Sequence, residues 1–127
     1  MKRKLALLLV AVTAFSALSF TGVAVAGAAR THVTIEGPNG DFEGTITSTS
    51  RHCLGHRRVL LFMSDSSSGP FSRTGNSDTS ERQGNIGVWS MGNTGLRDGF
   101  FYAKAKKTDT CRGGRSPVLH LNNGNPV

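Results

Sequence analysis

Beyond its first thirty residues this sequence lacks most of what would mark an enzyme or a helical protein. It holds sixteen glycines and no sustained 3.6-residue apolar period, which excludes long helices. It has no Gly-x-Gly-x-x-Gly, no P-loop, no His-Glu-x-x-His and no Gly-x-Ser-x-Gly. Dinucleotide cradles, metalloprotease helices and nucleophile elbows are therefore missing in their recognisable forms. Acidic residues number eight, and Glu36, Asp41, Glu43, Asp65, Asp78, Glu81, Asp98 and Asp109 are scattered, mostly in turns. Nothing local pairs two of them as glycoside hydrolysis requires. No lysine occurs between Lys4 and Lys104, and there is one tryptophan, one tyrosine and two cysteines. Two cysteines permit a single intrachain pairing, Cys53–Cys111.

What is present begins with an export signal. Lys2, Arg3 and Lys4 make a basic start, and Leu5–Phe20 is apolar apart from Thr13, Ser16 and Ser19. Ala24-Val25-Ala26 then supplies the small-x-small site of a signal peptidase. The apolar part falls short of the ~20 residues of a bilayer span. Residues 1–26 are expected to be a signal-peptide helix that meets the membrane only before cleavage. Residues 27–127 are expected to be one secreted domain, extracellular or associated with the envelope. Oxidising compartments let a disulfide persist, which suits the lone cysteine pair. The chain has 15 Lys and Arg against 8 Asp and Glu, a formal +7, and loss of the three leader cations leaves +4.

The rest is short, alternating and turn-rich. Thr31–Glu36 and Asp41–Ser48 alternate around the turn signal Gly37–Gly40, with Val33 and Ile35 on one face and Phe42, Gly44 and Ile46 on another. Arg58–Met63 is apolar on both faces, as a central strand is. Ser64–Ser80 is polar and predicts a long loop with one short edge strand near Phe71–Thr74, pinned to the core by Phe71. Asn85–Met91 carries Trp89 as a core plug. In Phe100–Lys106, Phe101, Ala103 and Ala105 face inward and Tyr102, Lys104 and Lys106 outward. Pro117–Leu121 is the last strand, followed by a polar tail. About seven short strands with turns between them predict an all-β, antiparallel β-sandwich of immunoglobulin-like or prealbumin-like type. Four antiparallel strands between the cysteines return the chain to one pole, where a disulfide can close.

The segments TITSTSRHCLGHRRVLLF, SDTSERQGNIGVWSM, GFFYAKAKK and CRGGRS resemble a family of small secreted actinobacterial proteins. Their pattern is also similar to prealbumin-like sandwiches of the carboxypeptidase regulatory-like, Cna B type. The resemblance implies a fold and no activity, because function does not travel with this architecture. Transthyretin-like hydroxyisourate hydrolases end in Tyr-Arg-Gly-Ser, whereas this chain ends Asn-Gly-Asn-Pro-Val. Cna B-type cross-links use a first-strand lysine, and none is present.

One chemical feature stands out. Arg51, Arg57, Arg58, Lys106, Lys107, Arg112 and Arg115 all lie within a few residues of a cysteine, and a bridge would gather them at one pole. Arginine forks there can engage phosphate or carboxylate. His52 and His56 add charge below about pH 6.5. Interleaved aromatics of the single-strand-binding kind are missing, so nucleic acid is not the favoured anion. His52 and Cys53 are adjacent and diverge in an extended backbone, which favours a disulfide over zinc. The expected protein is a non-catalytic module without cofactor or metal. It binds an anionic cell-envelope polymer or docks on another exported protein; a small hydrolase would need a pocket with two convergent titratable groups.

Overall fold

Alternating side chains build ten strands in the computed structural model, which describes residues 27–127. The expected export signal lies outside the described residues. In chain order the strands are β1 (Thr31–Val33), β2 (Asp41–Ser48), β3 (Arg58–Ser64), β4 (Ser72–Thr79) and β5 (Glu81–Gln83). They continue as β6 (Ile86–Asn93), β7 (Gly99–Ala105), β8 (Gly114–Arg115), β9 (Leu119–Asn122) and β10 (Asn125–Pro126). One antiparallel sheet has the order β1-β2-β6-β5, and the other runs β10-β9-β7-β3-β4 with β8 also on β7. Among the described residues no helix is long and apolar enough to cross a membrane.

The two sheets enclose Val33, Phe42, Ile46, Val59, Leu61, Trp89, Phe101, Ala103, Ala105 and Leu121. Phe42 and Phe101 meet with ring centroids 4.7 Å apart. Each large apolar side chain removed from water contributes roughly 1.5–3 kcal/mol. The alternation of β7 holds: Phe101, Ala103 and Ala105 are buried in this core while Lys104 is exposed. β3 is central, between β7 and β4, as its two apolar faces require.

The short edge strand expected near Phe71–Thr74 is present and longer than expected, so the second half of the polar stretch before Ser80 is strand rather than loop. β4 has eight residues and pairs with β3, with a register irregularity between Leu60 and Phe62. Backbone groups on the open side of β3 need partners whatever side chains the neighbour carries. Gly75, at φ 87°, absorbs the extra length of β4. Phe71 does not reach the core. It packs on Tyr102 at 4.9 Å, and Tyr102 stacks on Phe62 at 4.9 Å, all on the outer face of the larger sheet.

At Ser80 the chain passes from one sheet to the other, so β4 and β5 are one run with a corner. Ser80 N–H donates to Arg57 O at 2.8 Å and its carbonyl accepts from His56 N at 2.7 Å. Its hydroxyl donates to Leu54 O at 2.7 Å and accepts from Arg57 N at 3.1 Å. The chain therefore still makes four traverses between the cysteines. Cys53 and Cys111 are bonded, with Cα atoms 5.7 Å apart.

The C-terminal stretch departs from a plain tail. Asn123 and Gly124, at φ 53° and 81°, make the tight turn that returns β10 onto β9. Pro117 lacks an N–H, which separates β8 from β9. Ser116 bridges the gap, its hydroxyl accepting from Ala103 N at 2.9 Å.

β1 ends early because Thr34 Oγ1, rather than its carbonyl, takes Thr45 N–H at 2.8 Å. A Cβ on Gly44 would lie 2.0 Å from Thr34 O and 2.6 Å from Trp89 Cζ2. Gly44→Ala is expected to cost about 2–3 kcal/mol through this overpacking, read as a lowered urea midpoint at unchanged slope.

Candidate functional site

A buried arginine organises the disulfide pole. Arg57 was expected among the anion-binding residues, but it is only 1 % exposed. Its Nη1 donates to Thr31 Oγ1 at 3.0 Å and Cys53 O at 2.9 Å. Its Nη2 donates to Lys106 O at 2.9 Å and Arg112 O at 2.8 Å. Nε has no partner among the described residues. Burial pushes this guanidinium's pKa below the ordinary arginine value. Four dipolar acceptors hold the charge in place of a carboxylate, and the fork geometry of arginine suits that task. Arg57 is thus a structural clamp, and an external anion would meet its neighbours.

Those neighbours form a groove. Tyr102, Lys104, Lys106, Lys107, Gly113, Gly114 and Arg115 line an open depression of about 580 Å³. One wall is the end of β7 and the turn after it; the other is β8. Lys106 O and Arg112 O, beside the two walls, are held by the same Arg57 nitrogen, and Thr31 Oγ1 also donates to Arg112 O at 2.7 Å. Lys104 and Arg115 are direct cross-strand partners, a like-charge pairing that is unfavourable by itself. Arg115 lies over the Tyr102 ring, 5.1 Å from its centroid, while Phe62 stacks on the ring from the β3 side. Tyr102 is only 9 % exposed, so neither face of its ring is free to stack on a ligand.

Of the seven expected anion-binding residues, the structure brings Lys106, Lys107 and Arg115 into this groove. Arg112 is exposed beside it. Arg58 is exposed at the start of β3, and Arg51 lies in a different hollow with His52, His56, Glu81 and Arg82. Lys104 was missed by nearness to a cysteine, although strand alternation already turned it outward. The sulfurs of Cys53 and Cys111 lie near His52 but are bonded to each other, and Ser50 Oγ lies 2.6 Å from His52 Nδ1. Neither sulfur is a thiolate available to a metal in this state.

A second depression, of about 510 Å³, is acidic. Glu36, Glu43, Asp78 and Glu81 line it with Thr34, Gly44, Thr45, Val88, Trp89 and Ser90 but no Lys, Arg or His. Glu36 and Glu43 are opposed across an antiparallel bridge. Asp78 accepts from Ser90 N–H at 2.7 Å, taking the place of β5 where that short strand has ended. Sequence spacing hid this convergence, because the four carboxylates come from separate elements. Glu36, Glu43 and Glu81 are exposed and Asp78 is half-buried. Glycoside chemistry sets one carboxyl in an apolar environment against an ionised partner. Three water-exposed carboxylates do not supply that contrast.

No family model, curated protein or solved structure matches this chain.

Proposed function

We propose that the protein is an exported, non-catalytic module that holds an anionic polymer of the cell envelope in the groove between β7 and β8. The observation that carries this reading is the convergence of Lys104, Lys106, Lys107 and Arg115 on one open groove with no carboxylate in its lining. The capped Tyr102 ring favours a polymer recognised by its charges over one recognised by its bases. Lysines act as mobile point charges and suit a flexible chain of irregular geometry. The disulfide agrees with an oxidising location. The kinship to prealbumin-like sandwiches belongs to the same reading and concerns the fold only.

Retention on immobilised, purified anionic wall polymer tests it. The protein is expected to bind at low ionic strength and to elute as salt shortens the screening length to ~10 Å and below. Each cation near an anionic surface contributes about 1 kcal/mol. Changing Lys104, Lys106 and Arg115 to Ser together is therefore expected to weaken binding by roughly 100-fold. Equal retention of the triple variant, with an unchanged circular dichroism spectrum, removes the groove from the mechanism.

A further inference from the structure

The acidic cleft faces away from the basic groove. Along β2, Phe42, Gly44 and Ile46 turn inward, which leaves Glu43 and Thr45 on the outer face of the four-stranded sheet. Glu81 is the cross-strand partner of Val88 on that sheet. Lys104 and Arg115 stand on the outer face of the other sheet, so the two charged faces lie on opposite sides of the sandwich. Four carboxylates line one and four cations line the other. Each contains a directly opposed like-charge pair, Glu36–Glu43 and Lys104–Arg115.

Trp89 lies on the core side of the cleft floor. It is 2 % exposed, it lines the cleft, and its Nε1–H has no acceptor among the described residues. The indole's Cζ2, two bonds from Nε1, lies beneath Gly44, where no side chain intervenes. Buried indole donors ordinarily find a partner. The outer side of the cleft gathers four carboxylates with no Lys, Arg or His in its lining, and a docked polypeptide that carries cations supplies their counterpart.

We infer that the partner is a second copy of this chain: the basic face of one molecule packs against the acidic face of the next. Lys104, Lys106, Lys107 and Arg115 of one copy meet Glu36, Glu43, Asp78 and Glu81 of another. Docking relieves both like-charge pairs together. Such a contact joins two different surfaces, so by itself it does not close, and it builds an open head-to-tail stack. The inference shares the groove with the proposed function, and an anionic polymer competes with the second copy for it.

Sedimentation of the purified mature protein over a range of concentrations tests the stack. At low ionic strength the mass is expected to grow with concentration, and near 1 M salt, where screening acts within ~3 Å, it is expected to return to that of the monomer. Two double variants each remove one face: Lys104→Ser with Arg115→Ser, and Glu43→Gln with Glu81→Gln. Each alone is expected to remain monomeric. Mixed in equal amounts they are expected to form a heterodimer that grows no further, because one keeps its cleft and the other its groove. Formation of the heterodimer also shows that both variants are folded. The cleft variant is expected to keep its retention on wall polymer and the groove variant to lose it. A wild type that stays monomeric at low salt overturns the stack, as does a cleft variant that still assembles or a mixture that does not pair. Polymer retention by the wild type under those outcomes leaves the proposed function standing.

Discussion

Replacing Arg57 by methionine is expected to destabilise the domain by about 3–5 kcal/mol. The side chain's volume is roughly kept, so the loss is not mainly a cavity. It comes from Thr31 Oγ1 and the carbonyls of Cys53, Lys106 and Arg112, each of which loses a guanidinium donor; the bond to Cys53 is buried and the other three are half-buried. A buried ion pair can sometimes be exchanged for apolar residues at no cost, because both partners leave together. Here the partners are backbone groups that remain. Arg57→Lys is expected to recover little, since one ammonium cannot span the four acceptors that the planar fork reaches. Urea titration of the two variants beside the wild type measures this. A loss below about 1 kcal/mol for Arg57→Met would show that water satisfies those carbonyls. At temperatures where Arg57→Met remains folded, weaker polymer retention is also expected, because the guanidinium ties together the backbone beside both walls of the groove.

Loss of the Cys53–Cys111 bridge is expected to cost about 4 kcal/mol in the chain-entropy account of a loop this long. The two residues are 58 apart in sequence. A domain of this size has roughly 5–15 kcal/mol in all, so either change removes a large part of its stability. Cys53→Ser with Cys111→Ser, compared with wild type by urea titration, gives the value. Thiol titration of the unreduced protein is expected to find no free sulfhydryl. The bridge and Arg57 hold the same segments, since Arg57 donates to the carbonyl of Cys53 and to that of Arg112, next to Cys111. Their effects are therefore expected to be non-additive in a double-mutant cycle. Additivity within about 0.5 kcal/mol would show two independent restraints.

Strand-level features were open to inspection because their causes are local. Phe101, Ala103 and Ala105 alternate with Tyr102 and Lys104, and period-two spacing sends them to opposite faces in any sheet. The full length of β4 was hidden for the opposite reason, beyond the short edge strand expected near Phe71–Thr74. Its side chains are polar, and its ladder exists because β3 has an unsatisfied edge beside it. Arg57 was hidden too. Nothing in the run His56-Arg57-Arg58 separates the arginine that turns inward from the one that stays in water, and only the carbonyls converging on that point make the choice.

The amino-acid order alone determined the β class, the turns, the single possible cysteine pairing and the preponderance of positive charge near it. Those follow from spacing, turn chemistry and composition, which are properties of the chain before it folds. The tertiary structure decided which cations share a groove, which one is walled in, and that four dispersed carboxylates face each other across one cleft. Such groupings join residues far apart along the chain, and sheet order and register bring them together only when the two layers close.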